Sequence, residues 1–151
     1  MKALIQRVTR ASVSIRHQLT GEIEPGLVIL VGIAQEDTGS DVTFLVSKIA
    51  DLRIFGDQDG KMNRSLLDVE GQALIISQFT LFADTRRGRR PSYTDAARPE
   101  TAIPLYDAFI HAFQDKGIHV ETGAFGADMS VDIQNNGPVT LMLESSGQKS
   151  A

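Results

Sequence analysis

The sequence contains no cysteine and no long apolar run. Without cysteine the chain has no disulfide, no thiolate nucleophile and no cysteine-ligated zinc or iron–sulfur cluster, and it fits a reducing compartment. No apolar stretch approaches the roughly 18 residues of a membrane-spanning helix. The opening residues MKALIQRVTR lack the apolar core of a signal peptide, because Arg7 and Arg10 interrupt it. We therefore expect a cytoplasmic protein that is not associated with a membrane.

The sequence also lacks an excess of positive charge and the common motifs of metal sites. Its formal net charge of −4 argues against nucleic-acid binding by bulk charge, although a local basic patch can still bind. None of His17, His111 and His119 belongs to a ligand-spaced pair. The acidic loop that begins at Asp57 fails the calcium-loop pattern, because Gly60 is its fourth residue and not its sixth. We expect no metal.

Alternating and continuous apolar patterns predict the strands. Apolar and polar residues alternate over 11–16, as in a half-buried strand, and continuous apolar runs at 27–33 and 73–83 predict buried strands. Three further strands are predicted to close the chain, with Asn136-Gly137-Pro138 separating the last two. Their ranges are 119–122, 129–135 and 139–145.

Two segments have helical periodicity. Thr38 and Asp41 have the spacing of a capping box before an apolar stripe, which predicts a helix ending near Gly56. For the second helix, Pro99 suits the first turn, while Pro104 leaves a later start open.

The length of 151 residues suits one compact domain. We predict a single α+β domain over 1–145 with two main helices, followed by a polar tail at 146–151.

The run Ser77-Gln78-Phe79-Thr80 places three hydrogen-bonding side chains inside an otherwise apolar segment. Burying such groups without partners costs about 1–3 kcal/mol each. Either the segment bends or surfaces there, with the hydroxyls bonded to nearby backbone, or it lines a pocket whose polar groups and amides orient a substrate and stabilise an oxyanion.

An arginine cluster lies in the polar stretch 84–100. As a solvated loop it needs no function, but arginine forks also match phosphate geometry, and Tyr93 beside them can stack on a base. The cluster consists of Arg86, Arg87, Arg89, Arg90 and Arg98.

Four segments together resemble the D-aminoacyl-tRNA deacylase family: SQFTLF at 77–82, RRGRRPSY at 86–93, GAFGADM at 123–129 and NNGPVT at 135–140. The opening MKALIQRVTRASV and the span LVILVGIAQEDT are similar to the first strands of the same family. The resemblance covers nearly the whole domain, and the motifs occur in the family's order and spacing.

The resemblance implies a single compact domain with a barrel-like arrangement of mixed and antiparallel β-sheets. It also implies a cytoplasmic homodimer with its active site at the subunit interface. The reaction would be hydrolysis of the ester between a D-amino acid and the 3′-terminal adenosine of tRNA, with glycyl-tRNA mischarged onto a noncognate tRNA as a further substrate. No metal or organic cofactor is expected.

The resemblance also assigns roles to residues. Ser77, Gln78, Phe79 and Thr80 would line the pocket, with the last three as catalytic candidates, and Phe125 and Met129 would hold the terminal adenosine. These six substrate-pocket candidates lie in two of the four matching segments.

Gly137-Pro138 would form a cis peptide that reaches into the partner subunit's site. Its carbonyls would hold the substrate amino group and exclude an L side chain. Without the resemblance, the sequence Asn136-Gly137-Pro138 predicts only a turn between two strands.

Two mechanisms remain open. Thr80 could act as a nucleophile, but no neighbouring base is identifiable. We favour the second mechanism, in which main-chain groups around Phe79 and Thr80 position substrate and water while the RNA 2′-hydroxyl assists.

Two other functions compete with an editing enzyme. A non-catalytic tRNA- or RNA-binding module would use the arginine loop and show no turnover. A small-molecule esterase would recruit one of the histidines into a triad and would not depend on tRNA.

Overall fold

The structure is a computed structural model that describes residues 1–146. Of the predicted polar tail at 146–151, only Ser146 falls within this range, and the rest lies outside the described residues. The elements in chain order are β1 (Lys2–Ile15), β2 (Gln18–Ile23), β3 (Gly26–Gly32), α1 (Gly39–Asp51), β4 (Phe55–Gly56), β5 (Met62–Arg64), β6 (Gln72–Ser77), a 3₁₀ turn (Phe79–Phe82), α2 (Pro99–Asp115), β7 (Val120–Thr122) and β8 (Ser130–Glu144).

The long strand β1 organises a six-stranded mixed sheet. It pairs antiparallel with β3 and then β2 on one side, and with β8 along nearly its whole length on the other. Strands β3, β6 and β7 are parallel to one another. The sheet curls until β2 contacts β7, where a Cβ on Gly21 would lie 3.0 Å from the Thr122 carbonyl oxygen. The predicted α+β domain with mixed sheets, a barrel-like curl and two main helices is confirmed.

Apolar side chains on the two faces of the sheet form two cores. Leu27, Ile29 and Val31 of β3 join the larger core, which lies under α1 and α2, whereas Val28 joins the smaller core inside the curl. The run at 27–33 is continuously apolar because both faces of β3 are buried. Within residues 1–146, no helix is long and apolar enough to cross a membrane.

The helix boundaries confirm one prediction and correct another. Thr38 caps α1 through the predicted capping box with Asp41. However, α1 ends at Asp51 rather than near Gly56, because the chain becomes extended at Leu52 and turns Phe55 into the core.

The second helix begins at Pro99. Pro104 therefore lies inside α2, and the later start is wrong. Proline suits the first position of a helix because its ring fixes φ near the helical value and because an N–H there would have no acceptor within the helix.

Two predicted strand boundaries are also wrong. The run at 73–83 is strand only as far as Ser77, where the Gln78 N–H donates to the Val31 carbonyl oxygen at 2.8 Å and the chain enters the 3₁₀ turn. The predicted strands at 129–135 and 139–145 are one strand, β8, because β1 runs past both halves and pairs with each.

Candidate active site

A cavity of about 270 Å³ lies where the parallel strands β3 and β6 end. Val31 and Ser77 are register partners at this edge, and both line the cavity. Beyond Ser77 the chain turns away from the strand direction, which leaves space at the carboxyl ends of the strands, a usual place for a ligand in a parallel sheet. We call this cavity the strand-end pocket.

The polar segment identified in the sequence forms one wall of the strand-end pocket. Ser77, Gln78 and Phe79 line it, while Thr80 does not and instead accepts a hydrogen bond from the Gln78 side-chain amide. Phe79 and Thr80 open the 3₁₀ turn, and the first N–H groups of a helical turn have no acceptor within it. The wall thus carries polar side chains and continues directly into the first main-chain donors of the 3₁₀ turn.

The opposite wall comes from the GAFGADM segment. Phe125 and Met129 both line the strand-end pocket, as do the residues between them. Gly126 has a φ of +76°, the left-handed conformation that glycine adopts without a steric penalty. Gly123 carries no side chain because a Cβ there would collide with the Met129 sulfur. These glycines allow the segment to bring Phe125 and Met129 to the pocket lining.

Tyr106 links the strand that leads to one wall with a residue of the other wall, and it is not among the residues that the sequence predicts for the site. Its buried hydroxyl donates to the Ile75 carbonyl oxygen at 2.8 Å, on the strand that delivers Ser77, and its ring packs 5.9 Å from that of Phe125. Burial, and to a lesser extent the negative charge of Asp107, raises the pKa of Tyr106 to about 12. The sequence feature that could identify this residue is a tyrosine within the apolar stripe of a helix, because its buried hydroxyl needs a hydrogen-bond partner.

Gly137 and Pro138 do not line the strand-end pocket of their own chain. They lie in a bulge of β8, since Gln6 pairs with Thr140 and Val8 pairs with Asn135, which leaves the intervening residues of β8 unpaired. Both are exposed, and the peptide bond between them is cis.

The ionisable side chains bordering the strand-end pocket are few. Asp128 is the one such residue among those lining it in the described part of the chain. His17, His111 and His119 are exposed and lie outside the pocket lining. Among residues 1–146 no cluster of three or more histidine, aspartate or glutamate side chains could hold a metal ion.

The predicted arginine cluster lies on an exposed loop between the 3₁₀ turn and α2. The loop is attached beside the strand-end pocket, because Tyr93 packs edge-on against Phe79 with ring centroids 5.0 Å apart.

Comparison with known proteins identifies the family. A family model described as D-Tyr-tRNA(Tyr) deacylase matches residues 4–144. The chain is 58% identical over 145 residues to a D-aminoacyl-tRNA deacylase of Fervidobacterium nodosum, covering 96% of this chain and 97% of that one. It is 54% identical over 146 residues to the D-aminoacyl-tRNA deacylase of Thermus aquaticus, covering 97% and 96%.

A solved structure is similar over the same extent. It is that of a c-Myc DNA unwinding element binding protein, with a TM-score of 0.90 and 40% identity, and the match covers 96% of this chain and 99% of that one. The family match spans both walls of the strand-end pocket and the bulge of β8. The chain belongs to the D-Tyr-tRNA(Tyr) deacylase family.

Proposed function

We propose that this protein hydrolyses the ester bond of D-aminoacyl-tRNA, releasing free tRNA and the D-amino acid. The observation that carries the proposal is the strand-end pocket, which brings Ser77–Phe79 and Phe125–Met129 together within a domain that matches the family model. Because its substrate is charged tRNA, we place the reaction in the cytoplasm.

The two walls suit the two ends of the substrate. Phe125 and Met129 offer an aromatic ring and a polarisable thioether, which favour contact with the flat face of the terminal adenine. Ser77 and Gln78 on the facing wall offer polar groups to the ester and ribose. The ester carbonyl then lies against the beginning of the 3₁₀ turn.

The proposed chemistry is attack by water on the ester carbonyl carbon. A tetrahedral oxyanion forms, stabilised by the N–H groups of Phe79 and Thr80. The bond to the 3′-oxygen then breaks, that oxygen takes up the proton released by the water, and the neighbouring 2′-hydroxyl assists the transfer. In the described chain no histidine or carboxylate is hydrogen-bonded to Thr80, which supports a scaffold role for it over a nucleophilic one.

We propose that the active enzyme is a homodimer in which Gly137-Pro138 of one subunit enters the strand-end pocket of the other. The bulge is exposed and absent from its own pocket. Strand β8 also exposes Leu141 and Met142, at 38% and 47% of their surface, at the edge of the sheet. An exposed apolar edge strand favours association with a second chain.

The inserted bulge accounts for selectivity by exclusion. Main-chain carbonyls of Gly137 and Pro138 would accept hydrogen bonds from the substrate ammonium and occupy the space of an L side chain. A D side chain would point away from the bulge. Glycine has no side chain to exclude, so mischarged glycyl-tRNA is also expected to be hydrolysed.

A non-catalytic nucleic-acid-binding module is the second candidate. The exposed arginine loop favours it, as does the similarity to a solved structure named for binding a DNA element. This candidate predicts salt-sensitive tRNA binding without turnover and without preference between amino-acid enantiomers.

The deciding experiment compares D-Tyr-tRNA with L-Tyr-tRNA as substrates of purified protein in the presence of a chelator. We expect release of tyrosine from the D-ester alone, and release of glycine from mischarged Gly-tRNA. Binding of both esters without release would establish the nucleic-acid-binding module. Equal release from both esters would overturn the role of Gly137-Pro138 in chirality.

A further inference from the structure

The loop that carries the arginines is short and closed. At its base Asp84 and Ser92 exchange main-chain hydrogen bonds, at 2.7 Å and 2.9 Å between nitrogen and oxygen. At its tip Gly88 has a φ of +68°, a left-handed conformation that reverses the chain. The four arginines from 86 to 90 are therefore held in a turn of seven residues, and we call residues 85–91 the arginine turn.

Arg86 forms an ion pair at the base of the turn, whereas the other three arginines can bind a ligand. Both nitrogens of an Arg86 fork donate to the Asp84 carboxylate, at 2.9 Å and 2.7 Å. That pairing raises the pKa of Arg86 and lowers the pKa of Asp84 to about 2. Arg87, Arg89 and Arg90 are exposed, and no carboxylate within residues 1–146 forms an ion pair with them.

The charge of this segment is opposite to that of the rest of the protein. Five arginines and two aspartates give residues 84–98 a formal charge of +3, whereas the whole chain carries −4, so the remainder carries −7. A polyanion is repelled by most of the surface and attracted here. This charge contrast favours approach of an RNA at the segment.

The segment contacts the lining of the strand-end pocket at two places. Tyr93, one residue beyond the Asp84–Ser92 pair, packs edge-on against Phe79 of the pocket wall. Four residues further on, the Ala97 N–H donates to the Ile33 carbonyl oxygen at 2.8 Å, and both of these residues line the pocket. A nucleic acid whose 3′ end entered the pocket would therefore pass close to this segment.

We propose that Arg87, Arg89 and Arg90 bind backbone phosphates of the acceptor end of the tRNA, next to the esterified terminal nucleotide. This inference rests on the proposed function and adds the site that holds the RNA outside the pocket. Guanidinium groups bind phosphate through paired N–H donors, independently of base identity. The arginine turn therefore contributes affinity and orientation for tRNA as a class rather than preference for one sequence.

The test compares two substrates in one triple variant, Arg87→Ala/Arg89→Ala/Arg90→Ala. One substrate is full-length D-Tyr-tRNA, and the other is the 3′-D-tyrosyl ester of adenosine, which has no phosphate. We expect kcat/KM for the tRNA to fall about 100-fold, mainly through KM. For the adenosine ester we expect kcat/KM to fall by no more than about tenfold. The steepness of the salt dependence with tRNA should also decrease, by about 0.7 in the log–log slope for each phosphate that the variant no longer binds.

Two controls make the result specific. Lys48→Ala removes an exposed positive charge from α1, which does not line the pocket, and should leave the ratio between the two substrates unchanged. Replacing the same three arginines by lysine keeps the charge and should recover part of the loss, since lysine binds phosphate as a point charge.

Two outcomes would overturn the inference. Equal losses on the two substrates would mean that the arginine turn shapes the pocket, and no loss on either would mean that it does not contact the RNA. If the wild-type protein hydrolyses neither substrate, the proposed function fails. In that event the affinity for uncharged tRNA, measured for wild type and triple variant, still tests the turn, and equal dissociation constants would overturn it.

Discussion

Arg7 ties the bulge of β8 to the body of the domain through Asn136. Its Nε donates to the Asn136 carbonyl oxygen at 3.3 Å, and its Nη1 donates to the Ile54 carbonyl oxygen at 2.6 Å. Arg7 lies on β1 between Gln6 and Val8, the two residues that pair with β8 on either side of the bulge. One side chain therefore occupies the gap in the strand pairing and fixes the position of Gly137.

Arg7→Ala should impair deacylation without unfolding the protein. Loss of both hydrogen bonds releases Asn136 from the body of the domain, although the Asn135 amide still bonds to the main chain at residues 7 and 139. A displacement of about 1 Å at a reacting centre can cost roughly 100-fold in rate. We expect kcat/KM for D-Tyr-tRNA to fall by about this factor. Arg10→Ala is the matched control, because Arg10 is exposed on the same strand and its one side-chain ion pair within residues 1–146 is with Glu22, at 3.6 Å. Equal activity of the two variants would contradict the role of Arg7.

Gly137→Ala should have a similar effect for a different reason. Gly137 has a φ of +118°, where an L side chain is strained, and an added Cβ would lie 2.9 Å from Val139 Cγ2 and 3.0 Å from Arg7 Nη2. The bulge must shift, so we expect a loss of roughly 10- to 100-fold in kcat/KM for D-Tyr-tRNA. Gly117→Ala is the control, since Gly117 has a φ of +82° but its added Cβ meets nothing within 4 Å. If both alanine variants lose activity equally, backbone strain alone explains the effect.

Much of the fold follows from the sequence because the patterns involved are local or repetitive. The capping box at Thr38 and the apolar run of β3 each predict an element that the structure confirms. The boundary at Ser77 could not be predicted, because the apolar residues after it continue the pattern of a strand. The chain turns there through a bond from the Gln78 N–H to Val31, a residue 47 positions earlier.

The continuity of β8 was missed for a related reason. Gly137-Pro138 is a strong local turn signal, yet β1 is long enough to pair with β8 on both sides of it. Pairing between residues more than 115 positions apart has no local signature. The polar run from Ser77 to Thr80 is visible in the sequence itself, whereas Phe125 and Met129 are indicated only by the resemblance to a family. The structure places Ser77, Gln78, Phe79, Phe125 and Met129 around one pocket. Arg7 and Tyr106 were not selected, because their roles depend on backbone carbonyls that only the fold brings near.

Thr80→Ala should retain most of the activity. The hydroxyl accepts a hydrogen bond from the Gln78 side chain, so its loss should cost no more than about tenfold in kcat, the equivalent of one ordinary hydrogen bond. Removing a true nucleophile costs on the order of 10⁴- to 10⁶-fold. Single-turnover kinetics with D-Tyr-tRNA distinguish these magnitudes. Thr80→Ser, which keeps the hydroxyl, should match the wild type in both mechanisms and confirms that the site is intact.

Removing the 2′-hydroxyl of the terminal adenosine should slow the reaction far more than removing the Thr80 hydroxyl. We expect kcat to fall roughly 10²- to 10⁴-fold for a D-tyrosyl ester on tRNA ending in 2′-deoxyadenosine, the usual range for a lost proton-transfer group. The KM should change little, because the pocket walls still contact the base. A tRNA with 2′-deoxycytidine as its penultimate nucleotide is the control. Equal kcat for the deoxyadenosine and unmodified substrates would exclude assistance by the 2′-hydroxyl.

Tyr106→Phe should lower the free energy of unfolding and change how that free energy depends on pH. Near neutral pH the variant loses the bond to Ile75, which should lower the free energy of unfolding by about 1 to 3 kcal/mol.

The pKa of Tyr106 is raised from 10.0 to about 12 in the folded protein. Above pH 10 the phenol therefore ionises in the unfolded chain first, and the wild type loses up to roughly 2 to 3 kcal/mol of this stability by pH 12. Because phenylalanine does not titrate, the stabilities of the two proteins should converge between pH 10 and pH 12. Urea unfolding at several pH values measures the difference. Phe113→Leu is the control, because it changes a buried side chain that does not titrate, and its free energy of unfolding should follow the pH dependence of the wild type. If the difference in stability between Tyr106→Phe and the wild type stayed constant with pH, the Tyr106 hydroxyl would ionise equally in the folded and unfolded states.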